Sequence, residues 1–131
     1  MSIVVDANVA IAVLNWDDPF HEAALSRCVR EEKIQILNVT WAEVLVLPVR
    51  LGKEEQTRAA LTELGFCVEP TSNEIAELAC RLRAFHGNKN FPMLDALVVA
   101  FGMQTKCPVV TCDAKWPQIA ESKREVLTAH G

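Results

Sequence analysis

The 131 residues are enough chain for one domain with a single buried core. Half of them are hydrophobic and 23% are charged, an ordinary globular balance, and no apolar run approaches the roughly 18 residues that span a bilayer. The formal net charge of −4 has the wrong sign for unaided attraction to a polyanion, so any nucleic-acid role must rest on a local basic patch or on metal ions.

Ile3-Val4-Val5 is a short β-branched run and predicts a buried strand, followed by a helix from about Asn8 to Leu14. Asp17-Asp18-Pro19 predicts a turn with an acidic N-cap, opening a helix through His21–Arg30. Lys33–Leu37 alternates and predicts a second strand ending at Asn38. Thr40-x-x-Glu43 has the spacing of a capping box and predicts a helix to about Leu51, kinked at Pro48 and ended by Gly52. Lys53–Leu64 is the next helix, closed by Gly65. Phe66–Glu69 is a third strand. Thr71 or Ser72 caps a helix running to about Phe85, and Gly87–Asn90 is a loop. Pro92 precedes a helix through about Met103. Pro108–Thr111 is a fourth strand and Val126–Thr128 a fifth. Strands alternating with helices predict one three-layer α/β domain over residues 1–131, with a mostly parallel sheet of four to five strands flanked by helices.

The chain begins Met1-Ser2-Ile3-Val4-Val5-Asp6, with neither the basic start nor the cleavage site of a signal peptide. Its five cysteines are odd in number and contain no Cys-x-x-Cys, which argues against a disulfide framework or a thiolate zinc site. They read as small buried hydrophobes in a reducing cytoplasm, with no membrane partner.

Four acidic stretches carry the functional argument: Val5-Asp6-Ala7-Asn8, Thr40-Trp41-Ala42-Glu43, Leu94-Asp95-Ala96-Leu97 and Thr111-Cys112-Asp113. Each acid taken singly reads as a cap or a turn former. Together they fall at the carboxyl edge of one parallel sheet, where the crevice of such folds lies. Clustered carboxylates repel, and a hard divalent cation removes that penalty. His21, His86 and His130 lie outside the four stretches and read as exposed polar residues, which makes zinc a poor candidate. An all-carboxylate site holding Mg²⁺ or Mn²⁺ suits phosphodiester hydrolysis by activated water.

The order Val-Val-Asp-x-Asn, Thr-x-x-Glu, Leu-Asp-Ala-Leu-x-x-Ala and Val-Thr-x-Asp resembles the PIN domain, in particular the VapC-type toxin ribonucleases of toxin–antitoxin pairs. The resemblance runs from Ile3 to about Trp116. It implies Asp6, Glu43, Asp95 and Asp113 as catalytic, metal-binding acids, with Asn8 and Thr111 as polar supports. It implies a Mg²⁺-dependent endoribonuclease, with Mn²⁺ as a possible substitute, an RNA substrate, a cognate antitoxin and a homodimer. The chain departs from the pattern in two places. Phe91-Pro92-Met93-Leu94 stands where a small hydroxyl or polar residue is frequent, and Lys115 and Trp116 replace a further acid and a phenylalanine.

Trp41–Leu51 and Leu94–Met103 are apolar nearly all round, and burial within the domain is expected for most of their side chains; the rest would form a dimer face or receive an antitoxin segment. Arg81, Arg83, Lys89, Lys106 and Lys115 read as a solvated charged face, with an RNA path as the alternative. Trp16 is expected to be exposed and Trp41 buried, and either Trp16 or Trp116 offers a face to a base. A phosphohydrolase with an aspartate nucleophile wants a second acid where Asn8 stands, and a receiver-like domain wants paired acids near the first strand. A non-catalytic module on the same fold remains the rival, and retention of all four acids speaks against it.

Overall fold

The computed structural model describes residues 1–87 and 89–129; Asn88 of the predicted loop and His130 lie outside them. β1 (Ser2–Val5) leads into α1 (Ala7–Leu14) and α2 (His21–Val29). β2 (Lys33–Leu37) leads into α3 (Asn38–Arg50) and α4 (Glu54–Glu63). β3 (Phe66–Glu69) leads into α5 (Asn73–His86) and α6 (Met93–Thr105), and β4 (Val109–Thr111) and β5 (Arg124–Val126) follow. Among the described residues the strands form one five-stranded sheet of order β3-β2-β1-β4-β5, with every pairing parallel. This is the expected α/β architecture.

The pleat explains the layering. Successive side chains of a strand point to opposite faces, so Ile3 and Val5 join the core under α1 and α2, while Val4 joins the core under α5 and α6. A strand covered on both faces is apolar throughout, which is why Ile3-Val4-Val5 shows no alternation. Gly52 and Gly65 close α3 and α4 with positive φ, the conformation that favours glycine. Ser72, not Thr71, caps α5: its hydroxyl accepts from the Ile75 N–H at 3.2 Å, whereas Thr71 donates to Asn38 Oδ1.

Several local expectations are corrected. The capping box does not form. α3 starts at Asn38, directly after β2, with Leu37 at the N-cap and no side-chain cap bond. Thr40 therefore lies inside the helix, buried and with its hydroxyl unpartnered, and Glu43 moves into the second turn. Before α2 the N-cap position belongs to Phe20. Asp18 shapes the preceding turn, its carboxylate accepting from the Phe20 N–H at 2.8 Å. The fifth strand is Arg124–Val126, not Val126–Thr128. It is an edge strand carrying charges, and Glu125 is held by Arg27 at 2.8 Å, so its apolar content does not mark it.

Of the cysteines, only Cys28 is buried. Cys67, Cys107 and Cys112 are half-buried, Cys80 is exposed, and all are free thiols. Burial also divides the two apolar helices. α6 buries Ala96 and Val98–Gly102, as expected, but α3 buries only Thr40, Val44 and Leu45 and leaves Val46, Leu47 and Val49 exposed. Trp16 is exposed, Trp41 is half-buried against the core, and Trp116 is buried, which removes it as a base-stacking surface. Among the described residues no helix is long and apolar enough to cross a membrane.

Candidate active site

The strand order places a switch point between β1 and β4. From β1 the chain winds outward to β2 and β3, and from β4 it winds the other way to β5. Parallel sheets open their ligand crevice outside the carboxyl ends of such a pair. Asp6 is the first residue past β1, and Thr111 ends β4. Because Val5 pairs with Val110, the two stand side by side.

A polar junction joins the two strand ends. Thr111 Oγ1 donates to Asp6 Oδ2 at 2.9 Å, and the Ala7 N–H donates to Asp6 Oδ1 at 2.8 Å, making Asp6 the N-cap of α1. Asn8 Oδ1 accepts from the Cys112 N–H at 3.1 Å, and Asn8 Nδ2 donates to Thr111 Oγ1 at 3.4 Å. The Asp113 N–H also donates to Thr111 Oγ1, at 3.0 Å. Asn8 and Thr111 thus fix the orientation of Asp6 and the path of the chain into Asp113. Asp113 Oδ1 accepts from the Lys115 N–H at 2.8 Å, which shapes the turn that follows.

Asp95 lies in the first turn of α6, which opens directly after Pro92. Its Oδ2 accepts from Trp116 Nε1–H at 3.0 Å. That donor was missed in the sequence. The signal was present: a buried tryptophan needs a partner for its N–H. Glu43 reaches the site from the second turn of α3 and is solvent-exposed.

The electrostatics tie the four acids together. Burial pushes the Asp6 carboxyl up to about 6, with Glu43 and Asp113 adding to the rise and the Thr111 and Ala7 hydrogen bonds opposing it. Burial, then Asp6 and Asp113, push Asp95 up to about 6 against the bond from Trp116. Glu43, exposed as a side chain but partly desolvated at its carboxyl, is raised by that desolvation and by Asp95. All four therefore lie within Coulombic reach at one sheet edge. Among the described residues, however, no three Asp, Glu, His or Cys side chains are grouped closely enough to hold a metal ion as they stand. The donor set is nonetheless of the hard, all-oxygen kind that suits Mg²⁺ or Mn²⁺. His21 is instead hydrogen-bonded through Nδ1 to the Ala12 carbonyl at 2.8 Å, and His86 is exposed at the end of α5. Arg81, Lys89, Lys106 and Lys115 are exposed, and Arg83 is half-buried.

A parallel sheet with acids at its β1/β4 crevice is the class of protein seen here, and residues 3–122 match the PIN domain; the chain belongs to that family. Among solved structures it is similar to a chain of a toxin–antitoxin complex from Klebsiella pneumoniae, with 26% identity and a TM-score of 0.75, covering 92% of this chain and 94% of that one. It shares its fold with a chain of VapBC2 from Rickettsia felis bound to a promoter DNA fragment, at 17% identity and a TM-score of 0.75, covering 98% and 100%. It also shares its fold with VapC20 of Mycobacterium tuberculosis, described as a Sarcin-Ricin loop cleaving toxin, at 19% identity and a TM-score of 0.70, covering 86% and 91%. No curated protein matches the chain.

Proposed function

We propose that this chain is a metal-dependent endoribonuclease and the toxin of a VapBC-type toxin–antitoxin pair, acting in the cytoplasm. The observation that carries the reading is that the fold brings Asp6 and Asp113 onto one hydroxyl, that of Thr111, at the β1/β4 crevice, with Asp95 and Glu43 within Coulombic reach. Like charges brought together by the fold raise one another's pKa and are relieved by a cation. Asp6, Glu43, Asp95 and Asp113 would hold Mg²⁺, or Mn²⁺ in its place. When bound, such an ion supplies Lewis acidity to a phosphodiester and eases deprotonation of water. The chain's own part is to bind and orient. Asn8 and Thr111 hold Asp6 and the turn carrying Asp113. With a net charge of −4, the site turns attractive to RNA only through the cation.

The relatives' association with antitoxins supports an antitoxin partner here. So does the open face of α3: a groove of about 440 Å³ is lined by Ile11, Leu14, Leu47 and Leu51 and reaches Glu43. An apolar segment laid in it would pass the edge of the acid site. Two further exposed large apolar side chains of α3, Val46 and Val49, suit a homodimer face. The test is induction in bacteria, wild type beside Asp6→Asn. Growth arrest with discrete RNA fragments, lost in the variant, is expected. Equal behaviour of the two would point to a non-catalytic module on the same fold.

A further inference from the structure

We propose that Trp116 is a positioning residue for the acid site: its indole N–H fixes Asp95 Oδ2 and so sets the orientation in which the carboxylate would meet a divalent cation. The proposal rests on the metal-site reading above. Three observations carry it. The indole donates to Asp95 Oδ2 at 3.0 Å. Its ring is 4% exposed and meets the fully buried Phe91 edge-on, with centroids 6.2 Å apart and planes at 64°. Its backbone carbonyl accepts from Arg124 Nη1 of β5 at 2.7 Å. The indole is thus held by the segment leading into α6 and by the edge strand, and it points its one polar atom at the acid.

A buried indole N–H left without a partner costs stability, and a carboxylate is a strong acceptor for it. The bond removes the free rotation of the Asp95 carboxylate, which otherwise must be frozen when a cation arrives. Outer partners that orient a ligand in this way typically contribute ten- to a hundredfold in metal affinity. The same bond opposes the rise in the Asp95 pKa caused by burial, Asp6 and Asp113.

Trp116→Phe keeps a ring against Phe91 and removes the N–H. Mn²⁺ binding is measured by calorimetry on the wild type, Trp116→Phe, Asp95→Asn and the double variant, with the metal-free thermal midpoint of each. Trp116→Phe is expected to weaken Mn²⁺ binding about ten- to a hundredfold. In the Asp95→Asn background the same change is expected to add no further loss. The Trp116 indole N–H resonance of the wild type is expected to shift on Mg²⁺ addition. Equal Mn²⁺ affinity of wild type and Trp116→Phe would overturn the positioning role and leave the acid site standing. A loss of the same size in both backgrounds would also overturn it, because the effect would not pass through Asp95. Equal affinity of wild type and Asp95→Asn, or no Mn²⁺ binding by the wild type, would overturn the acid site and the positioning role together. Should Trp116→Phe fail to fold, 3-benzothienylalanine at position 116 keeps the indole's shape without its N–H and is read in the same way.

Discussion

α6 is sunk between the sheet and α5, while α3 lies open along one side, although both are 13-residue helices of mostly apolar sequence. The difference lies in side-chain size. α6 carries Ala96, Ala100 and Gly102 among its buried residues, and a Cβ at Gly102 would collide with the Val109 side chain. Its last turn therefore rests on β4 more closely than any side chain permits. α3 joins the core through Val44 and Leu45, and Leu47, at 59% exposure, faces outward. Apolar content alone does not separate a core helix from an interface helix. Small residues do, because they mark where one backbone closes on another.

Each helix also brings one acid to the site, and the contrast is tested most strongly there. Asp95→Asn on α6 and Glu43→Gln on α3 are each expected to lower Mn²⁺-supported RNA cleavage by more than about 100-fold, beyond the usual loss for a merely supporting residue. Far-UV circular dichroism should not change. A Glu43→Gln enzyme that cuts at the wild-type rate would confine the site to β1, β4 and α6.

Asp6 stands electrostatically between the helices: Glu43 of α3 raises its pKa, and Asp6 in turn raises that of Asp95 on α6. Its carboxyl ionises near 3.8 in the unfolded chain and near 6 in the folded one. Below the lower value both states hold the proton and nothing is lost. Between the two values the unfolded chain releases its proton first, so stability falls as pH rises. Above about 6 the loss is complete, at most about 3 kcal/mol. In EDTA, Asp6→Asn should therefore gain on the wild type in urea midpoint as pH rises from about 4 to about 6. A constant difference across that range would show that Asp6 is not held as described.

Gly102→Ala should destabilise by about 1–3 kcal/mol through overpacking against Val109, read as a lower urea midpoint at unchanged slope. Leu47→Ser and Val49→Ser on α3 should change stability by no more than about 0.5 kcal/mol, as surface changes do. If either costs as much as Gly102→Ala, α3 is a core helix and the contrast fails.

The order of elements was legible because strand runs such as Ile3-Val4-Val5 and punctuation such as Gly52 and Gly65 act locally. Asp6, Asp95 and Asp113 stood out because each follows a strand or opens a helix, whereas Glu43 lies in the second turn of α3. What escaped was decided at a distance. Thr40 and Glu43 have capping-box spacing, but β2 runs straight into α3 and leaves no room for the cap. β5 is set by its pairing with β4 and by Arg27 clasping Glu125, neither of which shows in a local apolar pattern. Lys106 ends α6 in the left-handed conformation, where a glycine would have announced the stop. The Trp116–Asp95 bond joins residues 21 apart through a turn whose shape no short motif encodes.

The central position of β1 has a consequence during synthesis. β1 is made first, yet its partner β4 is made among the last strands, and the Thr111–Asp6 bond spans 105 positions of sequence. Contacts of such separation form late, after the cost of closing a long loop has been met. A nascent chain carrying Asp6, Glu43 and even Asp95 still lacks the strand that braces the first of them. The acid crevice is therefore assembled only when nearly all of the chain described here has been translated.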